Sequence, residues 1–404
     1  MTAVRRGRPL AMAAVALAVV MVVLLGTRAS RGASRPRDSH RGPEQLHSRA
    51  LVIPGVAWIS DEATQRGAVY VAAQPWKWRP GQVNRMYMGV VSRWRPRQLK
   101  GHIAAGEENF VSVSSDWMAW TEGGSVASYW RVYVRSRETG RIRVIDGSNL
   151  EGPNPVLSAF PMLSLSGDRV AWSYVVCHGS CARTGRGWTT RISIENLRTG
   201  RSRVVASTSQ ACLAADWVSL WGNTLAFQEE GTCPTRRGSD IYAADLGSGR
   251  VRRLTRDGQS SDPATNGRYV AFKYGGNRFN NGVIELLDLR TGRVRPISLV
   301  AGRWASNCFA DRGHRIDKCT DGNGPVISSD IVAWQTAGDM LGRADSLMAR
   351  DLRTGRQYVL APGLGSLVPW RLGEPWGHQA VWIECHGRHD PTACNWVVGT
   401  AVVP

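Results

Sequence analysis

A short apolar segment that ends in an aromatic residue recurs along the chain, at intervals of about 45 to 62 residues. An alternating or wholly apolar pattern over so few residues predicts a β-strand. No stretch of the repeated region shows the periodicity of a long helix. The copies are Trp117-Met-Ala-Trp120, Arg169-Val-Ala-Trp172, Thr224-Leu-Ala-Phe227, Tyr269-Val-Ala-Phe272, Ile331-Val-Ala-Trp334 and Gln379-Ala-Val-Trp382, with Gly67-Ala-Val-Tyr-Val71 as a looser seventh.

The second repeated element is a hairpin built on a glycine followed by an arginine. Apolar, β-rich runs flank it on both sides, so both flanks are predicted strands. A three-residue connection needs its last residue at positive φ, which glycine adopts without steric cost. The copies are Glu138-Thr-Gly-Arg141, Asn196-Leu-Arg-Thr-Gly-Arg201, Asp245-Leu-Gly-Ser-Gly-Arg250, Asp288-Leu-Arg-Thr-Gly-Arg293 and Asp351-Leu-Arg-Thr-Gly-Arg356.

Together the two elements define a unit of four strands, a to d, in which the apolar segment is strand b and the hairpin joins c to d. The Val-Ala-Trp and Asp-Leu-x-Thr-Gly-Arg halves resemble the repeat of the TolB-like β-propellers, relatives of the WD-type propellers, over roughly residues 50–404. The resemblance implies an all-β propeller of radially arranged blades. It implies little about function, because the family includes binding domains, regulatory caps and assembly platforms.

We count seven repeats, and the last one ends after strand c, so its outer strand is missing. The apolar segment Ala50–Pro54 precedes the first repeat and is a candidate for that place. A ring closed by strands from both termini buries two edges that are otherwise exposed. A ring of six blades with an N-terminal flap is the alternative.

The N-terminal residues predict an exported protein. A basic patch at residues 5–8 precedes an apolar run over residues 10–25, and small residues follow at 27–29, which is the layout of a secretory signal peptide. Arginines just past the run oppose translocation, so an uncleaved anchor is the alternative. We expect an extracytoplasmic protein, secreted or associated with the cell envelope. The predicted domains are a signal peptide or anchor (1–29), a flexible linker (30–48) and the propeller (49–404).

The net charge of +19 comes almost entirely from arginine. Such an excess of positive charge favours anionic envelope polymers or lipid headgroups as neighbours of an exported protein. The compartment argues against nucleic acid as a partner. We expect a monomer that contacts a membrane only through its N-terminal segment, if that segment stays uncleaved.

Strand alternation predicts two unlike faces for the ring. The short a–b and c–d turns emerge on one face, which we call the turn face, and the b–c and d–a connections emerge on the other, the loop face. All eight cysteines fall in loop-face connections, and an even set in an exported chain predicts disulfides. Eight cysteines allow 105 connectivities, so proximity alone favours local pairs. The near pairs are Cys177 and Cys181, Cys212 and Cys233, Cys308 and Cys319, and Cys385 and Cys394.

Long loops held on one rigid face are typical of a binding surface. Tryptophan rings beside guanidinium groups suit sugars or anionic polymers, through stacking and paired hydrogen bonds. The alternative is that the loop tryptophans only pack the loops down. The candidate ligand-binding residues are Trp76, Trp78, Arg183, Trp188, Trp304, Arg312, Arg315, His386 and His389.

Two loop segments contain side chains of the types that metals bind. Their spacing matches neither a zinc knuckle nor an EF-hand, so we expect a disulfide-closed loop and an ordinary turn there, with no metal and no cofactor. The zinc-type ligands are Cys385, His386, His389 and Cys394, and the calcium-type ligands are Asp311, Asp317, Asp321 and Asn323.

The sequence contains no Gly-x-Ser-x-Gly elbow, no phosphate-binding loop with lysine and no His-Glu-x-x-His. We therefore expect a non-catalytic binding or scaffold protein, which engages a protein partner or an anionic envelope polymer through its loop face. The first alternative is a propeller-type polysaccharide lyase or hydrolase at the central channel, with a carboxylate pair drawn from Glu229, Glu230 and Glu384. The second is a purely structural propeller tethered by an uncleaved N-terminal helix.

Overall fold

The computed structural model describes most of the predicted propeller, and every regular element in it is a β-strand. Within the described ranges, we find no helix with the length and apolar character needed to span a lipid bilayer. The described residues are 44–53, 56–66, 68–75, 85–99, 110–122, 129–149, 161–177, 188–208, 213–233, 236–275, 283–298, 324–336, 345–364, 377–386 and 395–404.

The strands form seven sheets, which are the blades of a propeller, so the prediction of seven blades is confirmed. Neighbouring strands of a repeat are antiparallel, and strand a lies innermost, where the a strands of consecutive blades contact each other. Blade one is β3 (Val56–Gln65), β4 (Ala68–Pro75), β5 (Arg85–Val90) and β6 (Arg93–Gln98), and blade two is β7 (Val111–Val113), β8 (Trp117–Glu122), β9 (Tyr129–Ser136) and β10 (Ile142–Asn149). Blade three is β11 (Leu163–Ser166), β12 (Arg169–Cys177), β13 (Trp188–Asn196) and β14 (Arg201–Thr208). Blade four is β15 (Leu213–Trp221), β16 (Thr224–Cys233), β17 (Arg236–Asp245) and β18 (Val251–Arg253).

Blades six and seven each include a strand from the N-terminal end of the chain. Blade six has five described strands and blade seven has three. Blade five is β19 (Ser260–Thr265), β20 (Tyr269–Tyr274), β21 (Val283–Asp288) and β22 (Val294–Pro296). Blade six is β23 (Val326–Ser328), β24 (Ile331–Thr336), β25 (Asp345–Asp351), β26 (Gln357–Leu364) and β1 (Glu44–Gln45). Blade seven is β27 (Gln379–His386), β28 (Asn395–Val402) and β2 (Arg49–Val52).

Seven clusters of buried apolar side chains hold the ring together, and each lies between two consecutive blades. The cluster between blades two and three, for example, joins Ala119 and Trp130 to Leu165 and Trp172. The cluster between blades seven and one completes the circle. Because each sheet is covered by its two neighbours, every blade depends on both of them for its burial.

Strand b places a large residue toward the preceding blade and a small one toward the next. Trp172 shares a cluster with Ala119 of the preceding blade, and Trp382 shares one with Ala333. Gly399 lies opposite Trp382, where a Cβ would come within 2.1 Å of the indole ring, so only glycine fits. The aromatic residues at the large position are each at most 2% exposed: Trp120, Trp172, Phe227, Phe272, Trp334 and Trp382.

Blade one reverses this arrangement. Tyr70 lies in the cluster shared with the next blade, a position at which blades two to six place alanine, and Val71 lies in the cluster shared with blade seven. The looser seventh copy in the sequence is therefore a shift of the aromatic residue by one position. Such a shift moves a side chain to the other face of the sheet.

The c–d turns have the geometry that their glycines predict. Gly200 and Gly355 have φ values of 69° and 73°, in the left-handed region that glycine favours. The Oδ1 atom of Asp351 accepts from the backbone N–H groups of Arg353 and Thr354, at 2.7 and 3.4 Å. In blade three the Oδ1 atom of Asn196 accepts from the backbone N–H groups of Arg198 and Thr199, so an amide oxygen can take the place of a carboxylate in this turn.

An arginine within strand d ties each of three c–d turns to the blade before it. The guanidinium donates to the backbone carbonyl of the turn leucine in the next blade, which satisfies an acceptor at the edge of the interface. The pairs are Arg143 with Leu197 (3.3 Å), Arg203 with Leu246 (2.8 Å) and Arg252 with Leu289 (3.0 Å). These arginines therefore have a structural role in the repeat.

Serine hydroxyls make the corresponding links between the innermost strands. Each hydroxyl on strand a accepts from a backbone N–H of strand a in the next blade. The pairs are Ser112 with Leu165 (3.0 Å), Ser164 with Leu220 (3.0 Å) and Ser219 with Thr265 (2.9 Å). Polar links thus run along both the inner and the outer side of the blade interfaces.

Strand β2 occupies the place of strand d in blade seven, where it pairs antiparallel with β28. The predicted closure of the ring by an N-terminal strand is confirmed. Leu51 and Ile53 are each 3% exposed and pack in the cluster between blades seven and one. The indole N–H of Trp94 in blade one donates to the carbonyl of Val52 at 2.8 Å, which holds the closing strand from the other side.

Strand β1 was not predicted, and it lies inside the segment 30–48 that the sequence predicts as a linker. It pairs parallel to β26 as a fifth strand at the outer edge of blade six, with Glu44 opposite Tyr358. Strand β26 begins at the c–d turn and runs from the turn face to the loop face. A parallel β1 runs the same way, so the chain enters the ring at the turn face.

The substitution Leu51→Ala should lower the free energy of unfolding by roughly 2–4 kcal/mol, because it removes a buried side chain from the interface that closes the ring. Val52→Ala is the matched control, since the neighbouring Val52 is 56% exposed and should cost less than about 0.5 kcal/mol. Urea unfolding of the full chain measures both. Equal effects of the two substitutions would contradict the closure.

Asp351→Asn should weaken the dependence of stability on pH in acid. Burial raises the pKa of the Asp351 carboxyl, but hydrogen bonds from Arg353 and Thr354 outweigh it and hold the pKa below its ordinary value. The resulting stabilisation is present above the ordinary pKa and is lost as the pH falls through the lowered one. Asparagine keeps the turn and cannot titrate.

Urea unfolding over a series of acid pH values tests this prediction. The Asp351→Asn chain should be less stable than the natural chain near neutral pH, and the difference should shrink in acid, where the carboxyl of the natural chain is protonated as well. Asp351→Ala, which removes the turn acceptor, should cost roughly 1–2 kcal/mol already at neutral pH. An unchanged acid dependence in the asparagine variant would show that this turn does not contribute to it.

Candidate binding face

Most of the predicted ligand-binding residues lie outside the described residues: Trp76, Trp78, Arg183, Trp304, Arg312, Arg315 and His389. The backbone of the other two is described, at strand ends rather than in loops. Trp188 begins β13 opposite Cys177, and His386 ends β27 opposite Asn395. Both positions are at the loop-face ends of their strands, and their side chains are outside the description, so their role in binding stays a prediction.

The three cysteines whose backbone is described lie inside strands, near the loop-face ends, and not in the connections where they were predicted. Cys177 and Cys233 are the last residues of b strands, and Cys385 is the last but one in β27. The disulfides stay a prediction, because the other five cysteines are outside the described residues: Cys181, Cys212, Cys308, Cys319 and Cys394.

Metal binding was not expected, and the segments that contain the zinc-type and calcium-type ligands are largely outside the described residues. Asp311, Asp317, Asp321 and Asn323 all belong to the segment 299–323, which is not described. Within the described ranges, no group of three or more His, Cys, Asp or Glu side chains is arranged to bind a metal ion.

Blade four carries the longest described hairpin of the loop face. Strands β16 and β17 form ten residue pairs, up to Cys233 opposite Arg236, whereas β20 and β21 of blade five form six. Both hairpins start at the turn face. The hairpin of blade four therefore extends four residue pairs further than the hairpin of blade five on the loop face. We call this projecting part, residues 230–233 and 236–239, the blade-four ribbon.

The ribbon is fixed to the d–a connection of its own blade by a close backbone approach. The N–H of Ser239 donates to the carbonyl of Gly258 at 3.0 Å. Gly238 has a φ of 114°, and a Cβ there would lie 2.4 Å from the same carbonyl oxygen. Only glycine meets both conditions, so the ribbon is a rigid part of the loop face.

Below the ribbon, a polar network joins strands b, c and d of blade four. Arg253 forms an ion pair with the buried Asp240, whose Oδ1 also accepts from the hydroxyl of Thr255 at 3.2 Å. Tyr242 stacks on Phe227 with ring centroids 5.5 Å apart. Every charge at the base of the ribbon thus has a partner on a neighbouring strand.

The tyrosine hydroxyl in this network is held as a hydrogen-bond donor. Burial, together with a hydrogen bond to the carboxylate of Glu229, raises the pKa of Tyr242 to about 12. The hydrogen bond with Asp240 likewise raises the pKa of the Arg253 guanidinium. A phenol with so high a pKa does not act as a base near neutral pH, so the network positions the ribbon.

The carboxylates proposed for an enzymatic alternative are not brought together by the described strands. Glu229 and Glu230 are consecutive on β16, opposite Asp240 and Ser239, so they point to opposite faces of the sheet. Glu384 belongs to β27 in blade seven, and its side chain is outside the description.

A separate acidic pair lies where blades four and five meet. Burial, and then the charge of Asp257, raises the pKa of Glu285 on strand c of blade five. Asp257 accepts from the N–H of Gln259 at 2.7 Å and from the hydroxyl of Ser260 at 3.0 Å. The described part of the loop face therefore has local acidic positions despite the basic chain.

The chain matches no protein-family model, and no curated protein matches it. Solved structures of propellers are similar to it. An oligogalacturonate lyase from Vibrio parahaemolyticus is 11% identical with a TM-score of 0.53, over 90% of this chain and 98% of that one. The β-propeller domain of the Trilobed protease from Pyrococcus furiosus is 11% identical with a TM-score of 0.53, over 81% of this chain and 91% of that one.

A third similar structure is an acylaminoacyl peptidase from Pyrococcus horikoshii, with 11% identity and a TM-score of 0.53 over 81% of this chain and 49% of that one. The chain thus spans about half the length of the peptidase. The protease domain is described as having an open velcro topology, whereas β2 completes blade seven here. At these identities the similarity concerns the fold alone.

Tyr242→Phe should remove one late-titrating phenol from the alkaline ultraviolet titration, because the pKa of this tyrosine is raised from 10.0 to about 12. The stabilisation linked to it is full below pH 10 and is lost as the pH rises through the raised value. Loss of the bond to Glu229 should also cost about 0.5–1.5 kcal/mol at neutral pH. An unchanged titration curve would contradict the network.

Proposed function

We propose that this propeller is an exported, non-catalytic binding scaffold of the TolB-like type, and that it binds an anionic polymer of the cell envelope with its loop face. A protein partner on the same face is the alternative occupant. The proposal is carried by the difference between the two faces of the ring.

The connections of the turn face are short and bonded to each other. In blade three the N–H of Leu197 donates to the carbonyl of Asp168, and in blade six that of Leu352 donates to Asp330, both at 2.7 Å. The loop-face connections are longer, and the one between β22 and β23 takes up residues 297–325. Variable segments presented by a rigid scaffold are where binding residues concentrate.

The composition of these connections favours an anionic ligand that contains sugars. The chain has a net charge of +19, and its loop-face segments contain tryptophans among arginines, such as Trp304 near Arg312 and Arg315. Guanidinium groups bind carboxylates and phosphates in paired hydrogen bonds, and indole rings stack on sugar faces. The predicted signal peptide would deliver the protein to the compartment where such polymers occur.

Catalysis is the less supported function. The name of the similar lyase says that it acts on oligogalacturonate, but at 11% identity the similarity to this chain concerns the fold alone. In the described part of the loop face, Tyr242, Glu229, Asp240 and Arg253 bond to one another. A closed network of this kind supports a rigid binding surface, because its side chains are already engaged with one another.

The test is binding of the full chain to polygalacturonate, with dextran as the neutral polymer, at several salt concentrations. We expect binding to polygalacturonate only, weakened by salt. The combination Trp188→Ala, Trp304→Ala and Arg315→Gln should weaken it at least tenfold. Trp221→Ala is the matched control, because Trp221 ends strand β15 at the turn face and is 39% exposed.

Two results would overturn the proposal. If the loop-face variant binds polygalacturonate as the natural chain does, the loop face is not the binding surface. If the ultraviolet absorbance of an unsaturated product grows during incubation, the protein is a lyase and the non-catalytic function is wrong.

A further inference from the structure

An arginine lies at the start of strand d in every blade. It is either the first residue of strand d or the residue just before it, and it therefore lies at the turn-face end of that strand. All of these arginines are exposed. In order from blade one to blade seven they are Arg93, Arg141, Arg201, Arg250, Arg293, Arg356 and Arg49, which we call the arginine ring.

The fold does not use the side chains of the arginine ring. In the turns it is the backbone N–H that is engaged, as where Arg201 donates to the hydroxyl of Thr199 at 3.3 Å. Within the described part of the chain, no guanidinium of the ring forms a hydrogen bond or ion pair. By contrast, Arg143 and Arg203, two residues further along their strands, bond to the next blade.

Acidic side chains on the same face are already occupied. The carboxylates of Asp245, Asp288 and Asp351 accept from their own turns. Asp116 and Asp168 pair with Arg198, at 3.1 and 2.7 Å, and Asp330 lies 3.6 Å from Arg353. Of the acidic residues in the described turns, only Glu138 lacks such a partner. None of these carboxylates pairs with a guanidinium of the arginine ring, and the described turn face carries more arginine than acidic side chains.

The chain reaches the propeller on this same face. Strand β1 begins with Glu44 opposite Tyr358, at the turn-face end of β26. Residues 27–43 connect this point to the apolar run at 10–25. The N-terminal segment therefore joins the propeller on the turn face.

We infer that the turn face is a membrane-facing surface, on which the arginine ring binds the anionic headgroups of a lipid bilayer. Guanidinium groups form paired hydrogen bonds with phosphate. Seven such groups around one face of a disc meet a planar surface of mobile headgroups simultaneously, whereas a linear polymer has to curve to reach them all. Many weak contacts of this kind add up to firm binding.

This surface is distinct from the loop face, and it would direct the loop face away from the membrane. The two functions are therefore separable by experiment. Variants of the arginine ring should leave binding at the loop face intact, and variants of Trp188 or Trp304 should leave vesicle binding intact.

The test is cosedimentation of the full chain with vesicles of phosphatidylcholine alone or mixed with phosphatidylglycerol. Val15→Asp and Val20→Asp interrupt the apolar run in all samples, so that vesicle binding reports on the propeller. The ring variant changes Arg141, Arg201, Arg250 and Arg293 to Gln. The control variant changes the same number of exposed arginines outside the arginine ring to Gln: Arg95, Arg97, Arg256 and Arg295.

We expect binding to vesicles with phosphatidylglycerol and not to phosphatidylcholine alone. The ring variant should bind at least tenfold more weakly than the unchanged propeller, and the control variant should bind within twofold of it. A variant in which the same four ring arginines are changed to Lys should bind nearly as well as the unchanged propeller. Equal losses in ring and control variants, or no preference for anionic vesicles, would overturn the inference. So would a ring variant that keeps its vesicle binding and loses polygalacturonate binding instead.

Discussion

The structure depends on the burial of each sheet between two neighbours. A four-stranded blade has two apolar faces and cannot cover either alone, so the free energy of the fold comes from the interfaces between blades. An open ring leaves two such faces in water, at blades one and seven. Leu51 and Ile53 of the N-terminal strand complete the cluster between those blades. Closure at this interface is what makes the other six interfaces stable together.

The same requirement explains why much of the fold could be predicted from the sequence. A buried strand between two neighbours needs a large residue on one side and a small one on the other, and this produces the Val-Ala-Trp pattern. A tight turn needs glycine at positive φ, and this produces the Thr-Gly pairs, of which Gly200 is one. Because both constraints are local, they appear in each repeat and allow the blades to be counted.

Other features were missed because they depend on contacts between distant segments. Strand β1 has two residues and no apolar pattern, and only its pairing with β26 defines it. In blade one, the reversed position of Tyr70 follows from packing against blade two. The Thr-Gly-Arg motif identifies its arginine only as part of a turn. Sequence did not show that one arginine bonds to the next blade, while another, such as Arg201, stays unused by the fold.

For the candidate site, sequence predicted the face and not the arrangement. Strand alternation alone places the b–c and d–a connections together, and the strand order agrees with it. The network of Tyr242, Glu229 and Arg253 could not be predicted, because its members come from three strands whose register is set by the whole blade. That the side chains of Glu229 and Glu230 point to opposite faces of the sheet was predictable in principle, since consecutive side chains of a strand alternate between its faces.

The proposed division of the molecule into a loop face that binds a polymer and a turn face that binds a membrane requires a ring that is rigid and closed. Hydrogen exchange of the backbone amides of β2 and β28 tests this closure most directly. If β2 is an integral strand of blade seven, its amides exchange as slowly as those of β28, through the same global opening. Rapid exchange of β2 while β28 stays protected would contradict the closed ring.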